Sequence, residues 1–181
     1  DGTGIKDAGT VRAYKFMGPS TEPSEVLLYF GGANDHLGQS VAAGADINGD
    51  GVKDVLVGVP GRDQLVSNKN FKDVGAVCVF YGGGNQRTCL SPQSAEAGAG
   101  MGASVALGDI NADGRADLII SSPKRDNSAA LPKPTKDNGT VAVFSGNGFA
   151  QLGSTQYGTM TKDYFGTSVS VGDINGDGKA D

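Results

Sequence analysis

Three acidic strings, each nine residues long, hold the residues of this chain that are best suited to chemistry. They read DINGDGVKD from residue 46, DINADGRAD from residue 109 and DINGDGKAD from residue 173. In each string an oxygen donor recurs at every second position, and Ca²⁺ takes six to eight oxygen ligands from flexible loops. The strings therefore predict one calcium site each.

Each predicted site uses the same five positions of its string. Positions 1, 3, 5 and 9 supply side-chain oxygens, position 7 supplies its backbone carbonyl, and the glycine at position 6 permits the backbone to reverse. The predicted ligands are Asp46, Asn48, Asp50, Val52 and Asp54 in the first string, Asp109, Asn111, Asp113, Arg115 and Asp117 in the second, and Asp173, Asn175, Asp177, Lys179 and Asp181 in the third. Mg²⁺ seldom accepts an all-protein cage, and a filled shell has no open position for a substrate, so we expect structural calcium and no catalysis.

Two other structures could be built from these strings. An EF-hand loop needs a glutamate at position 12 and a helix on each side, but position 12 is Val57 or Ile120, inside an apolar run. Turns rich in Asp and Asn that bind no metal are the second alternative. Calcium is favoured over them because three carboxylates within nine residues repel one another unless a cation offsets their charge.

The composition excludes several classes of protein. Of 181 residues, 30 are glycine, and the acidic residues comprise 17 Asp and 3 Glu, with a net charge of -5. So much glycine disfavours a coiled coil or a large helical core, and no apolar run is long enough to span a membrane. An acidic chain without a basic stripe is a poor candidate for nucleic acid binding, so we expect no nucleic-acid partner.

The acidic strings mark a longer repeat. Their starts are 63 and 64 residues apart, and a second string, Lys-Asp-x-Gly-x-Val, recurs from Lys6, Lys72 and Lys136 with spacings of 66 and 64. Around both strings, β-branched and aromatic residues alternate between clusters of Gly, Asn, Asp and Pro, which is typical of strands. The repeat of about 64 residues therefore contains strand 1, the acidic loop, strand 2, a long polar loop, strand 3, a tight turn and strand 4.

Four antiparallel strands per repeat predict an all-β fold, a β-propeller of four-stranded blades. Strand 1 is expected at Ser40 to Ala43, Ser104 to Leu107 and Ser168 to Val171. The predicted units are a partial blade of strands 3 and 4 in residues 1–36, blades with a calcium loop in 37–100 and 101–164, and the start of a further blade with its calcium loop in 165–181. A β-sandwich with a chance internal echo is the alternative.

Several phrases resemble FG-GAP repeats, the blades of the integrin α-subunit propeller and of the accessory propeller of GPI-specific phospholipase D. They are Tyr29-Phe30-Gly31-Gly32, Leu37-Gly38-Gln39-Ser40-Val41 and Tyr164-Phe165-Gly166-Thr167-Ser168-Val169, each followed by an acidic string, and the Val-Gly-Val-Pro run that ends at Pro60. Met101-Gly102 and Leu37-Gly38 replace the usual Phe-Gly, and Ser121-Ser122-Pro123 replaces Gly-Ala-Pro. The closing aspartate at position 9 is similar to that of the short calcium hairpin in these propellers.

This resemblance implies a fold and a function. Integrin-type propellers have seven blades, so this chain, with about three, is expected to need further blades from the same chain or from other copies. The resemblance places the calcium loops on one face. We expect a protein or glycan ligand on the opposite face, where the loops Gly61 to Lys72 and Lys124 to Asp137 differ between repeats.

The predicted function is that of a calcium-binding, integrin α-like segment of an exported adhesion or recognition protein, extracellular or on the cell surface, and not an enzyme itself. One alternative is the accessory propeller of a secreted enzyme, either a phospholipase or a polysaccharide-active protein. Another is a lectin, which is disfavoured because the chain has no Trp and most of its Tyr and Phe residues fall in strand phrases.

The two cysteines support export. If Gly83 and Gly84 form a two-residue hairpin turn, Cys78 and Cys89 lie directly opposite each other, at a separation that a disulfide tolerates. A disulfide would indicate an oxidising compartment, whereas two reduced thiols would be compatible with the cytosol.

Two further residues have simple expected roles. His36, the single histidine, lies in a polar loop with no cluster of metal-binding residues beside it, and we expect it to be an exposed loop residue. Asn138-Gly139-Thr140 is a glycosylation sequon, but a plain turn also explains it, because the other repeats have Ala8-Gly9-Thr10 and Val74-Gly75-Ala76 there.

Overall fold

The computed structural model describes residues 5–15, 22, 24–84, 86–127 and 135–181. In this part of the chain every regular element is a β-strand. The described residues contain no helix that could span a membrane. The twelve strands are β1 (Thr10–Lys15), β2 (Ser24–Phe30), β3 (Val41–Ala45), β4 (Asp54–Val59), β5 (Gln64–Val66), β6 (Lys69–Phe71), β7 (Ala76–Phe80), β8 (Arg87–Leu90), β9 (Val105–Gly108), β10 (Asp117–Ser122), β11 (Thr140–Phe144) and β12 (Gln151–Tyr157).

The strands form two four-stranded antiparallel sheets with the same topology. The first, sheet A, has the order β3-β4-β7-β8, and the second, sheet B, has the order β9-β10-β11-β12. Strands β1 and β2 form a separate antiparallel pair that corresponds to the last two strands of a repeat. The all-β prediction and the four-stranded antiparallel sheet are confirmed.

A main core lies between sheets A and B. Leu56, Val77 and Val79 on one face of sheet A contact Val105, Leu118 and Ile120 on the facing side of sheet B. A second core joins β1 and β2 to the other face of sheet A, through Val11, Val57, Val59 and Phe80. Alternate residues of β4 therefore enter different cores, which explains why its sequence is apolar on both faces.

Glycines allow the sheets to approach each other closely. A Cβ atom on Gly58, in the middle of β4, would overlap the carbonyl oxygen of Gly102, which lies in the Met-Gly phrase of the next repeat. The same carbonyl oxygen accepts a hydrogen bond from Ser40 Oγ at 2.7 Å. Gly102 itself has φ of 86°, a conformation that favours glycine. The strand glycine and the repeat phrase therefore form one contact between neighbouring repeats.

Backbone hydrogen bonds join the repeats in the same way three times. In each repeat, the first residue of the Leu-Gly, Met-Gly or Phe-Gly phrase donates its backbone N–H to a carbonyl oxygen in a Lys-Asp-x-Gly string. The acceptor is the residue immediately before the glycine of that string. These bonds run from Leu37 to Ala8 at 3.0 Å, from Met101 to Val74 at 3.0 Å and from Phe165 to Asn138 at 2.9 Å. The two strings that define the period are therefore bonded partners.

One predicted strand is absent. Residues 168–171 were expected to form strand 1 of a further blade, but they adopt no strand in the structure. In the two complete sheets this strand pairs with the strand that follows the acidic loop, as β3 pairs with β4. Among the described residues, no strand pairs with residues 168–171, so they lack the hydrogen bonds that β3 and β9 make.

The structure also contains a hairpin that was not predicted. Strands β5 and β6 pair within the loop between β4 and β7, with Val66 opposite Lys69. Ser67 and Asn68 form the turn and have φ of 48° and 64°, the signature of a two-residue hairpin turn. The corresponding loop of sheet B includes residues 128–134, with Pro132 and Pro134, which lie outside the described residues.

Candidate metal centre

The acidic strings form hairpin loops at equivalent places in the two sheets. The first loop joins β3 to β4, where Ala45 is paired with Asp54, and the second joins β9 to β10, where Gly108 is paired with Asp117. In the third string, Gly172 and Asp181 exchange backbone hydrogen bonds of 3.5 and 2.9 Å. The first two strings therefore connect strands 1 and 2, and the third closes in the same way through one backbone pair.

The same side-chain hydrogen bonds hold each loop closed. The aspartate at position 1 accepts backbone N–H groups from the loop: Asp46 accepts those of Gly49 and Gly51 at 2.7 and 2.8 Å. The aspartate at position 5 accepts the N–H of position 7, as in the 2.9 Å bond from Arg115 to Asp113. The third loop repeats both features, through Asp173 and Asp177. This repetition shows that the loop conformation is encoded locally.

Positive backbone angles produce the reversal of each loop. The glycines at position 6 have φ of 84° or 85°. Position 4 also has positive φ, and in the second loop it is Ala112, at 60°. The glycine at position 6 was identified from the sequence, whereas the left-handed residue at position 4 was missed.

The aspartates at position 9 of the first two loops are buried. Asp54 and Asp117 have exposed fractions of 1% and 0%. Asp54 Oδ2 accepts the N–H of Ile47 at 2.8 Å, inside its own loop, and Asp54 Oδ1 accepts the N–H of Gly82 at 2.8 Å. Asp117 makes the same pair of contacts, with Ile110 at 2.9 Å and Gly146 at 3.2 Å. Each of these carboxylates therefore ties its loop to the turn that follows strand 3.

The electrostatics of the first loop favour an ionised aspartate at position 1. The pKa of Asp46 lies below its usual value of 3.8. Loss of contact with water acts to raise this pKa, but hydrogen bonds from the N–H groups of Gly51, Gly49 and Asp50, together with the charge of Lys53, outweigh that effect. Asp46 therefore carries its negative charge at neutral pH.

The donor chemistry of the loops suits a hard cation. Carboxylate, amide and carbonyl oxygens are the ligands that Ca²⁺ takes, and a carboxylate oxygen that accepts one N–H retains another lone pair. Across the described ranges, no three His, Cys, Asp or Glu side chains form a ready-made metal cage. The predicted shell does not require one, because it draws donors from an asparagine and a backbone carbonyl as well. Calcium binding at the fifteen residues remains a prediction.

The predicted disulfide is present. Cys78 in β7 lies directly opposite Cys89 in β8, and the two are bonded. The pairing continues past the strands, because the N–H of Tyr81 donates to the carbonyl of Gln86 at 3.1 Å. Cys78 is buried in the second core. The register inferred from the glycine turn is therefore confirmed.

The loops opposite the acidic hairpins are fixed at their bases. Arg62 forms an ion pair of 3.0 Å with Asp35, which precedes the repeat phrase. Asp63 Oδ1 accepts the N–H of Asp73 at 3.1 Å, and Asp126 Oδ1 accepts that of Asp137 at 2.8 Å. The Pro-x-Arg-Asp start of these loops therefore closes the loop at its two ends. His36 is an exposed loop residue, as expected.

Asn138 of the sequon is fully buried. Its exposed fraction is 0%, and its Nδ2 donates to the carbonyl of Gly158 at 2.7 Å. The equivalent residues in the other repeats, Ala8 and Val74, are also buried. A glycan on Nδ2 has no space in this fold, so the turn explains the sequon.

Comparison with known proteins gives the family. The model of the FG-GAP repeat matches residues 101–144 and 165–181, and that of the FG-GAP-like repeat matches residues 46–120. The chain belongs to the FG-GAP repeat family. FG-GAP repeats imply a β-propeller, and the two sheets have the form of its blades.

Similar proteins fall into two groups. The chain is 31% identical to integrin alpha pat-2 of Caenorhabditis elegans over 82% of its length and 34% identical to integrin alpha-PS5 of Drosophila melanogaster over 80%. It is 35% identical to phosphatidylinositol-glycan-specific phospholipase D of Mus musculus over 58% of its length. The matched regions cover 12%, 14% and 12% of those relatives, so the chain corresponds to a small part of each.

Proposed function

We propose that this FG-GAP chain is a calcium-stabilised segment of an integrin α-like propeller in an exported adhesion or recognition protein. The observation that carries the proposal is the recurrence of the acidic hairpin. Three consecutive repeats contain the same donor positions in a hairpin, which joins strands 1 and 2 in sheets A and B, and in all three the N–H of position 6 donates to the aspartate at position 1.

In this proposal the ions are structural. Asp46, Asn48, Asp50, the carbonyl of Val52 and Asp54 would hold one ion, with the equivalent residues of the other two loops holding theirs. A bound cation offsets the repulsion between the carboxylates of a loop. We assign no catalytic step to these residues, because the donors of each site belong to one short hairpin.

The proposed recognition surface consists of the loops at the other ends of the strands. The acidic hairpins join strands 1 and 2 at one end of the sheet. Because the strands are antiparallel, the loop between strands 2 and 3 lies at the opposite end of the strands. These loops differ between repeats while their bases are fixed by Arg62, Asp63 and Asp126. Variable loops on a fixed frame are suited to binding a protein partner.

Two features support an extracellular location. The bond between Cys78 and Cys89 is of a kind that persists in oxidising compartments. Calcium sites of modest affinity in extracellular modules, with Kd of about 10⁻⁴ to 10⁻³ M, are filled by the calcium found there.

Thermal unfolding in calcium and in chelator tests the proposal. Free calcium at about 100 times the Kd of one site stabilises the folded state by about 2.7 kcal/mol. We therefore expect calcium to raise the melting temperature by several degrees. Asp50→Ala and Asp113→Ala should each reduce that increase. These two residues are preferred to Asp54 and Asp117, whose buried carboxylates stabilise the fold without any ion.

A matched control separates ion binding from a general loss of charge. Glu22→Ala also removes one exposed carboxylate but lies outside the hairpins, and it should leave the calcium increment unchanged. Terbium luminescence titration should give one fewer bound ion in each hairpin variant than in the unmodified protein. Equal melting in calcium and in chelator would refute the calcium assignment.

A second candidate is the accessory propeller of a secreted enzyme. It is favoured by the similarity to phosphatidylinositol-glycan-specific phospholipase D, which covers 58% of this chain. The gene sequence distinguishes the two proposals: a hydrolase domain encoded next to these repeats would support the second candidate, and a leg region of adhesion-receptor type would support the first.

A further inference from the structure

A cleft opens between sheets A and B at the margin of the main core, whose members Met101 and Ile120 line it, and no residue of the acidic hairpins is in its lining. Its volume is about 420 Å³, within the range of small-molecule sites. One wall is the segment after β8, Leu90 to Ser94, and the other is formed by side chains of β10, β11 and β12. It is distinct from the acidic hairpins and combines aromatic rings with hydrogen-bonding groups and one cation.

The cation is Arg125, and comparison of the repeats explains why it is available. Its counterpart Arg62 is held by Asp35 at 3.0 Å. The residue of the second repeat that corresponds to Asp35 is Ala99, which cannot form an ion pair. Among the described residues, no carboxylate lies within 4 Å of the Arg125 guanidinium, and Glu96 instead accepts the N–H of Asp126 at 2.7 Å. Arg125 thus lines the cleft without an ion pair among the described residues, and the carboxyl group of Glu96 lies close enough to interact with its charge.

Aromatic rings provide the apolar surface of the cleft. Phe144, Phe149 and Tyr157 line it, and Tyr157 is exposed. Phe149 has φ of 60°, which is costly for a bulky side chain, in the turn that joins β11 to β12. A glycine would fit that backbone without strain. The ring of Phe149 lines the cleft and also packs against the main core, which offsets part of this conformational cost.

A bulge in β12 adds polar groups. The pairing of β11 with β12 shifts between Val141 and Val143, so that extra residues of β12 project from the sheet. Thr155 lies in the bulge and Gln151 lies just before it; both line the cleft, and they are hydrogen bonded to each other at 3.0 Å. Strand β8, which occupies the same place in sheet A, pairs with β7 in regular register. The β1–β2 pair also has a register shift, between Ala13 and Tyr14, so the bulge distinguishes sheet B from sheet A and not from every repeat.

We propose that this cleft binds a uronic acid residue of a glycan. Arg125 would pair with the sugar carboxylate, the rings would contact the apolar face of the sugar, and Gln151 and Thr155 would bond its hydroxyl groups. A peptide is the competing occupant, because peptides commonly add backbone hydrogen bonds to a free strand edge and β12, which lines the cleft, pairs with β11 alone among the described strands. The sugar is favoured because the cleft combines a single cation with three aromatic rings and two hydrogen-bonding side chains.

Two disaccharides that differ only in one carboxylate test this proposal. Cellobiouronic acid and cellobiose should be titrated into the purified protein by calorimetry at constant calcium. A charge-assisted hydrogen bond is worth about 1.5–3 kcal/mol, so the acidic sugar should bind at least about tenfold more tightly. In Arg125→Gln this difference should disappear while weak binding of cellobiose is unchanged.

Two further variants complete the test. Phe149→Gly relieves the backbone and removes the ring, so it should weaken binding of both sugars by a similar factor. Arg12→Gln, which removes an exposed arginine of β1, should change neither affinity. Equal binding of the two sugars, binding of neither, an unaltered preference in Arg125→Gln, or tighter binding of a capped peptide with one glutamate would each overturn the proposal. If Arg125→Gln does not fold, the comparison of the two sugars and Phe149→Gly decide the outcome.

Discussion

Single residues of this chain have roles that follow from what surrounds each of them. Asp54 and Asp50 belong to the same acidic string, yet Asp54 is buried and bonded to two backbone N–H groups while Asp50 is exposed. An unpaired buried carboxylate would be strongly destabilising, so Asp54 must keep these bonds whether or not an ion is present. Replacing Asp54 therefore tests the fold, and replacing Asp50 tests the ion.

At the residue scale, we expect Asn138 to be unmodified in folded protein secreted from a glycosylating host. Its amide nitrogen donates to the carbonyl of Gly158 and has no access to solvent. Peptide mass spectrometry of the secreted protein measures the occupancy of this sequon. The variant Asn70→Thr is a suitable control, because it completes a sequon at the exposed Asn68 of the β5–β6 turn and should be glycosylated. A glycan found on Asn138 in the folded protein would contradict the described packing.

At the scale of elements, hydrogen bonds local to each repeat shape the strands, and contacts between repeats hold the sheets together. The meander of β3, β4, β7 and β8 is built from antiparallel neighbours, and its apolar faces are each covered by the adjacent repeat. Strand β8 is the outer strand of sheet A and has only β7 as a partner. The disulfide therefore reinforces an outer strand of the sheet that is paired on one side only.

We expect the double variant Cys78→Ala, Cys89→Ala to be less stable than the unmodified protein. The cysteines are 11 residues apart, and loss of a cross-link that closes a loop of about this length costs about 3 kcal/mol. In a protein of this size that corresponds to a decrease of about 6–12 °C in melting temperature. Scanning fluorimetry measures the decrease, and reductant should reproduce it in the unmodified protein only. Complete alkylation of both thiols without reductant would show that the bond does not form.

At the scale of the whole molecule, equivalent residues have opposite environments in different repeats. Ile47 is buried between sheets A and B, whereas its counterpart Ile174 has an exposed fraction of 86%. Phe80 is 2% exposed, whereas its counterpart Tyr14 in β1 is 46% exposed, and Leu28 and Phe30 of the paired strand β2 are exposed as well. Surfaces that form cores inside the array are therefore open to solvent on its outer sides.

These surfaces predict that the purified chain associates in solution. Light scattering coupled to size exclusion should give a mass above 18.3 kDa that increases with protein concentration. Tyr14→Lys combined with Phe30→Lys should lower that mass, because charges would oppose burial of the β1–β2 face. Leu65→Lys alters an exposed apolar residue outside the sheets' faces and should leave it unchanged. A monomer at every concentration would argue against the prediction.

The features that could be predicted are those that depend on neighbours in sequence. The alternation of apolar residues, the glycine turns and the period of about 64 residues determined the strand order, the opposition of Cys78 and Cys89 and the position of each acidic hairpin. The strand expected at residues 168–171 is absent from the structure. A strand forms only when it is hydrogen bonded to a neighbouring strand, and the composition of these residues does not show whether such a neighbour is present.

Only the tertiary structure decided what distant residues do to one another. Asp54 meets Gly82, 28 positions away, and Asn138 meets Gly158, 20 positions away, and neither contact can be inferred from local pattern. The cleft beside Arg125 depends on the loss of an acidic partner at position 99 and on the bulge in β12, which become related only when the sheets pack. Turn and strand preferences act over a few residues, whereas burial and ion pairing are set by the packing of whole repeats, so sequence determined the frame and packing determined its sites.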